Sequence, residues 1–365
     1  MDKIKRFIEC LIPVTACNLK CHYCYVVQRQ KNSGKMPEMK YSPEQIAKAL
    51  TKERLGGICY FSICGAGETL LPESTIEITK KLLENGHYVN ITSNGTLTKR
   101  LGELMDKLDS DERSRMHFAF SLHYIELKRL NMLDRFAQNV KMVKDAGCSF
   151  LVQLNLCDEY IPYIDEIKEY CLEQFGAYPQ IAATRKETDI TSDVELYTEH
   201  TFEEYVELGK EFESPLFDFT MRNFNSPRKE FCFAGDWAFT LNLANGIMRR
   251  CYASSRGYDI FKNPEKPISF CAIGKHCNSL FCMNSSHFMS LGVIPEISTP
   301  TYCELRDRET SDNTHWYNDR TRMFLSSKLQ ESNKEKYNPV KVEFQYFLDK
   351  THKKLSAMYA RIRRR

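Results

Sequence analysis

Thr15-Ala16-Cys17-Asn18-Leu19-Lys20-Cys21-His22-Tyr23-Cys24-Tyr25 decides how this chain is read. It follows an apolar run, Ile8-Glu9-Cys10-Leu11-Ile12-Pro13-Val14, that reads as a first strand. Three cysteines at C-x3-C-x2-C spacing sit in a loop too short to separate them, so their thiolates can close on one metal centre. A [4Fe–4S] cube normally takes four thiolates, and three leave one iron open for a small chelating ligand. Zinc usually takes four ligands in two paired sets. His22 is a poor fourth ligand here, because it sits between two cysteines that already claim the site.

Working outward, residues 42–54 form a helix with Ser42 as N-cap, Pro43 in its first turn and Gln45 three residues on. Gly56-Gly57 stop it, and the strand Ile58 to Cys64 runs directly into Gly65-Ala66-Gly67-Glu68-Thr69. Two glycines at a strand end let a ligand approach the backbone closely. A helix over Glu73–Glu84, the strand His87 to Thr92 and the turn Ser93-Asn94-Gly95-Thr96 follow. Further strands are expected at 116–123, 150–156 and 179–185, separated by helices over 99–108, 130–146 and 164–175. Ser121 and His123 share one side of their strand, as do Gln153 and Asn155. Polar residues alternating on a strand buried on both faces point to a lumen. Arg185 ends the sixth strand, where it can hold a carboxylate or make a surface ion pair.

The loop resembles the radical S-adenosylmethionine (SAM) enzymes, whose C-x3-C-x2-C signature carries an aromatic before the last cysteine, here Tyr23. Gly65 to Glu68 resemble the family's Gly-Gly-Glu motif, with Ala66 in place of a glycine. Ser93 to Thr96 resemble its T-N-G-T turn. The resemblance implies an α/β fold, a partial (β/α)6 TIM-like barrel with its cofactors at the C-terminal strand ends. It implies Cys17, Cys21 and Cys24 as cluster ligands. Gly65, Ala66, Gly67, Glu68, Ser93, Asn94 and Tyr23 would lie around SAM, with Ser121, Gln153, Asn155 and Arg185 as further contacts. It also implies reductive cleavage of SAM to a 5′-deoxyadenosyl radical that abstracts a substrate hydrogen. The electron would come from a donor such as flavodoxin or ferredoxin.

Cysteine returns at Cys232, Cys251, Cys271, Cys277, Cys282 and Cys303. A strand at Trp237 to Leu243, a turn at Ala244-Asn245-Gly246 and a return strand from Ile247 form a hairpin with a cysteine beyond each end. The spacing resembles the auxiliary-cluster domains called SPASM and twitch, although the C-x2-C-x5-C-x3-C run of SPASM is missing. One auxiliary [4Fe–4S] cluster on Cys232, Cys251, Cys277 and Cys282 is expected, with Cys271 and Cys303 in reserve. Zinc or buried thiols are the alternative, since zinc accepts four thiolates as readily. The expected division is a barrel at 1–225, the auxiliary domain at 226–310 and a helical extension at 311–365, with one amphipathic helix from Lys341.

With 365 residues, 42% apolar and 27% charged, the composition is that of a globular protein with room for about two domains. A net charge of +3 is too small to argue for nucleic acid, and the basic end Arg361-Ile362-Arg363-Arg364-Arg365 reads as a solvated helix terminus. No apolar run is long enough to span a membrane, and no secretion signal opens the chain, so a cytoplasmic location is expected. Fifteen cysteines in a reducing compartment argue for metal or redox chemistry. Sixteen residues precede Cys17, the first cysteine of the loop, too few for the leader-binding domain of peptide-modifying members of the family. This tilts the expected substrate toward a small or carbohydrate-like molecule, with a peptide as the other class. A non-catalytic metal-binding or electron-transfer protein is the rival reading. A tRNA-modifying enzyme rests on the basic tail alone.

Overall fold

In this computed structural model, residues 2–28, 33–186, 194–252, 254–277, 282 and 285–363 are described. Residues 29–32, 187–193, 278–281 and Arg364 and Arg365 fall outside them.

Six strands alternate with helices: β1 (Arg6–Ile12), β2 (Cys59–Gly65), β3 (Tyr88–Ser93), β4 (Met116–Ser121), β5 (Ser149–Leu156) and β6 (Gln180–Ala183). Crossover helices force parallel pairing between neighbours in sequence, and the sheet order is β6-β5-β4-β3-β2-β1. The helices begin and stop on local signals. Ser42 closes a capping box with Gln45. Gly56 and Gly176 end their helices in the left-handed conformation.

The hairpin expected in the cysteine-rich segment forms from β7 (Ala238–Asn242) and β8 (Ile247–Arg249), with Gly246 at φ +74° in the turn. It does not stand apart. β7 lies parallel to the other edge of β1, Phe7 opposite Ala238 and Leu11 opposite Asn242, and β9 (Gly257–Asp259) follows β8. One nine-stranded sheet, not closed into a barrel, therefore runs across residue 226. This is the partial TIM-like fold.

Parity sorts the side chains. Ile8, Phe61, Ile91 and Phe118 face the helices. Phe7, Tyr60, Tyr88 and His117 face inward and are covered by residues far along the chain. Tyr88 stacks on Phe324 at 3.7 Å, and Tyr60 meets Tyr302 edge-on at 5.5 Å. Phe7 packs on Phe288 at 5.8 Å. This aromatic plug closes the lumen at its lower end. Above it the inward residues Ser121, Gln153 and Asn155 are half-buried and polar.

His87 shows how the outer layer responds to acid. Its Nδ1 accepts from the Cys59 amide at 3.1 Å, so Nε2 carries the proton donated to the Leu50 carbonyl at 2.8 Å. Burial lowers its pKa to about 4. The unfolded chain, titrating near 6.5, takes up the proton first, so stability falls as pH drops from about 6.5 to about 4. Each pKa unit is about 1.4 kcal/mol, and this one histidine contributes about 3 kcal/mol over that window. His117 shifts in the same direction. Urea midpoints recorded across this range should fall steadily with acid, and a flat profile would contradict the assignment.

No helix among the described residues is long and apolar enough to cross a membrane. The terminal helix Pro339–Arg363 forms as expected. Val342 is buried, whereas Phe344, Phe347, Leu355 and Met358 are exposed.

Candidate active site

The cysteine loop leaves β1 and lies across the turn that follows β2. The amide of Gly67 donates to the Val14 carbonyl at 2.6 Å, and that of Glu68 to Ala16 at 2.9 Å. A Cβ on Gly67 would stand 2.1 Å from the Ala16 oxygen, so no other residue fits this crossing. Gly65 is equally confined, 2.7 Å from a Val14 methyl. Ala66 and Gly67 remain half-buried.

Glu68 is 2% exposed, and its carboxylate ties two turns together. Oε1 accepts from Ser93 Oγ at 2.8 Å and the Leu70 amide at 3.0 Å, while Oε2 accepts from the Asn94 amide at 2.8 Å. Burial raises its pKa against the pull of these three bonds. Asn94 then reaches the cysteine loop, donating to Asn18 Oδ1 at 2.9 Å and approaching Cys17 Sγ at 3.8 Å. Asn18 donates to Thr96 at 2.8 Å. The turns after β1, β2 and β3 thus form one bonded unit.

Cys17 is exposed, Cys21 buried and Cys24 half-buried. Burial pushes the Cys21 thiol up to about 12, and the charges of Cys17 and Cys24 add to the shift. Metal binding must displace these protons. Tyr23 is 6% exposed, with its hydroxyl 2.6 Å from His123 Nδ1 and 2.8 Å from the Tyr160 hydroxyl. Burial lowers the His123 pKa to about 4, which leaves a neutral ring. His22 pairs with Glu159 at 3.0 Å, away from the thiols. Ser121 lies opposite Gln153 in the register, and Asn155 follows on the same face. Arg185 lies beyond β6 and is exposed, bridging Leu196, with its carbonyl accepting from Gln28 at 3.2 Å.

The second cysteine set flanks the β7–β8 hairpin, with Cys232 before β7 and Cys251 after β8. Cys232 pairs with Gly274 through two backbone bonds of 3.1 and 3.0 Å. Burial raises its thiol well above the usual range, and Cys251, Cys282 and Cys277 all add to that shift. The four residues expected to act together therefore lie within electrostatic reach of Cys232. The two reserves lie elsewhere. Cys271 is near Arg250 and Lys341, and Cys303 near Asp307 and Arg322. Among the described residues, no three Cys, His, Asp or Glu side chains are gathered as ligands of a single ion. The donor sets, three thiols in one loop and Cys232 with three others near it, are of the kind cubanes take.

Three lumen residues escaped the reading of the sequence. Glu9 and Cys64 face inward on β1 and β2, and Tyr252 follows Cys251 and hydrogen-bonds Glu9. The available signal was the lone carboxylate in the apolar strand Ile8 to Val14.

Residues 11–155 match the model of the Radical SAM superfamily. No curated protein matches the chain. Among solved structures it is similar to Streptococcus suis SuiB bound to S-adenosylmethionine, with 16% identity over 70% of this chain and a TM-score of 0.49. The match spans 64% of SuiB's length. It is similar to anSMEcpe with bound AdoMet, with 14% identity over 94% of this chain and 95% of that one, TM-score 0.48. BtrN in complex with AdoMet and 2-DOIA gives 14% identity over 91% and 92%, TM-score 0.34. Likenesses of this degree carry no argument about the reaction. The match to the radical SAM superfamily model covers the three-cysteine loop, the glutamate turn and the Ser93–Thr96 turn.

Proposed function

We propose that this protein is a radical SAM enzyme with an auxiliary [4Fe–4S] cluster in a SPASM/twitch-like segment, acting on a substrate held in the lumen between its two cysteine sets. The observation that carries the reading is the bonded unit of three turns, which presents Cys17, Cys21 and Cys24 beside the Gly65–Glu68 turn. When bound, the reduced N-terminal cluster and SAM supply a carbon-centred radical able to remove hydrogen from an unactivated C–H bond. The chain's own residues bind, orient and exclude water.

Cys17, Cys21 and Cys24 hold three irons of the first cube. The backbone of Gly65, Ala66 and Gly67 receives the methionyl amine of SAM, while Glu68 keeps that turn against Ser93 and Asn94. Ser121, Gln153 and Asn155 offer hydrogen bonds from the inner wall, and Tyr23 braces the loop through His123 and Tyr160. Arg185 guards the rim. Cys232, Cys251, Cys277 and Cys282 hold the auxiliary cube, and a flavodoxin or ferredoxin delivers the electron. The substrate is a small, carbohydrate-like molecule or a peptide.

Anaerobically purified, dithionite-reduced protein incubated with SAM should release 5′-deoxyadenosine. A colourless, zinc-containing preparation, or no 5′-deoxyadenosine under any condition, overturns the reading. Iron analysis should give about eight atoms per chain. Cys251→Ala should lose about four of them and keep SAM binding. An iron content unchanged by Cys251→Ala would remove the auxiliary cluster from the proposal.

A further inference from the structure

We propose that the outer face of the terminal helix docks this protein on an anionic phospholipid bilayer, lying in the headgroup layer without crossing it. The proposal does not depend on the chemistry proposed for the lumen.

The helix Pro339–Arg363 is anchored along one side. Val342 is 4% exposed and fits against Gly274, where a Cβ would stand 2.8 Å from a Val342 methyl. Tyr346 stacks on His276 at 4.0 Å, and Glu343 pairs with the same histidine at 2.7 Å. Asp349 pairs with Arg250, and His352 approaches Ser255 at 3.4 Å. At 3.6 residues per turn, Val340, Phe344, Phe347, Leu355 and Met358 fall within roughly a quarter of the circumference, opposite Val342 and Asp349. Their exposure runs from 47% to 76%. The apolar stripe therefore points away from the body of the protein, and the described residues leave it uncovered.

Charge identifies what covers it. From Lys350 to the end the sequence contains seven Lys or Arg and no Asp or Glu. Lys350, Lys353 and Lys354 are exposed, and Lys350 and Lys354 border the stripe. The helix has only two carboxylates, and both are engaged, Glu343 with His276 and Asp349 with Arg250. A second copy laid parallel would set seven cations against seven. Laid antiparallel, it would set them against a half whose acids are already paired. Phosphates of a nucleic acid would satisfy the lysines but leave Phe344, Phe347, Leu355 and Met358 in water. An anionic bilayer takes both features, because the acyl boundary covers the stripe while the headgroups meet the lysines. A basic amphipathic helix with phenylalanine and leucine on its apolar face has the composition for that interface.

Flotation of the full, iron–sulfur-reconstituted chain with lipid vesicles tests the proposal. Vesicles of equal parts phosphatidylcholine and phosphatidylserine are compared with phosphatidylcholine alone. The wild type should partition about tenfold or more in favour of the mixed vesicles, and the preference should shrink as salt is raised. Phe344→Ser combined with Phe347→Ser should lower partitioning about tenfold. Lys350→Gln, Lys353→Gln and Lys354→Gln together should lower it by about tenfold or more. All five positions are exposed, so circular dichroism and iron content should match the wild type. No partitioning by the wild type, or equal partitioning onto pure phosphatidylcholine, overturns the proposal. So does a wild-type dimer that Phe344→Ser with Phe347→Ser converts to a monomer in light scattering, which would give the stripe to a second copy. Partitioning unmoved by the phenylalanine variant, with binding of an RNA duplex lost in the lysine variant, would assign the face to nucleic acid instead.

Discussion

Cys21→Ala should abolish 5′-deoxyadenosine formation and lower the iron content by about four atoms per chain. Cys21 is the buried member of the three and lies in the middle of the loop, within reach of both Cys17 and Cys24. A cube held by three thiolates with one iron reserved for SAM has no ligand to spare, so removing one thiolate leaves two. The fold should survive. The loop is held by backbone bonds from Gly67 and Glu68, and Tyr23 keeps its hydroxyl bonds to His123 and Tyr160 when its contact with the Cys21 thiol is lost. Circular dichroism unchanged beside lost iron and lost product is the expected combination. Full iron with normal product formation would remove the thiol from the cluster.

Glu68→Ala should destabilise the protein even where no SAM is present. Its carboxylate is the acceptor for the Leu70 amide, the Ser93 hydroxyl and the Asn94 amide, all at or below 3.0 Å. Deleting the acceptor leaves three buried donors, each costing about 1–3 kcal/mol. A loss of about 3 kcal/mol or more in urea unfolding is expected. Glu68→Gln keeps one carbonyl oxygen, satisfies two of the donors at most, and should fall between the two. A residue that served only SAM would leave unfolding of the free protein untouched and move the SAM affinity instead. Gly67→Ala should mimic the larger loss, because its Cβ would collide with the Ala16 carbonyl.

Much of this site was legible because its signals are local. The spacing of Cys17, Cys21 and Cys24, the glycines after β2 and the Ser42 capping box each specify geometry within a few residues. The alternation of strands and helices follows from hydrophobic runs broken by glycine and proline. Asn18 was harder to read, since its partners Asn94 and Thr96 lie on another turn and nothing in its immediate neighbours marks it.

By itself the sequence determined the parallel order of the first six strands and the three turns at one rim. Tertiary structure alone decided that β7 joins the free edge of β1, that 285–325 plugs the lumen, and that Glu9 meets Tyr252 there. The reason is register. A strand's two faces are equivalent until its partners are known, and β1 is separated from β7 by more than two hundred residues whose pairing no local pattern records.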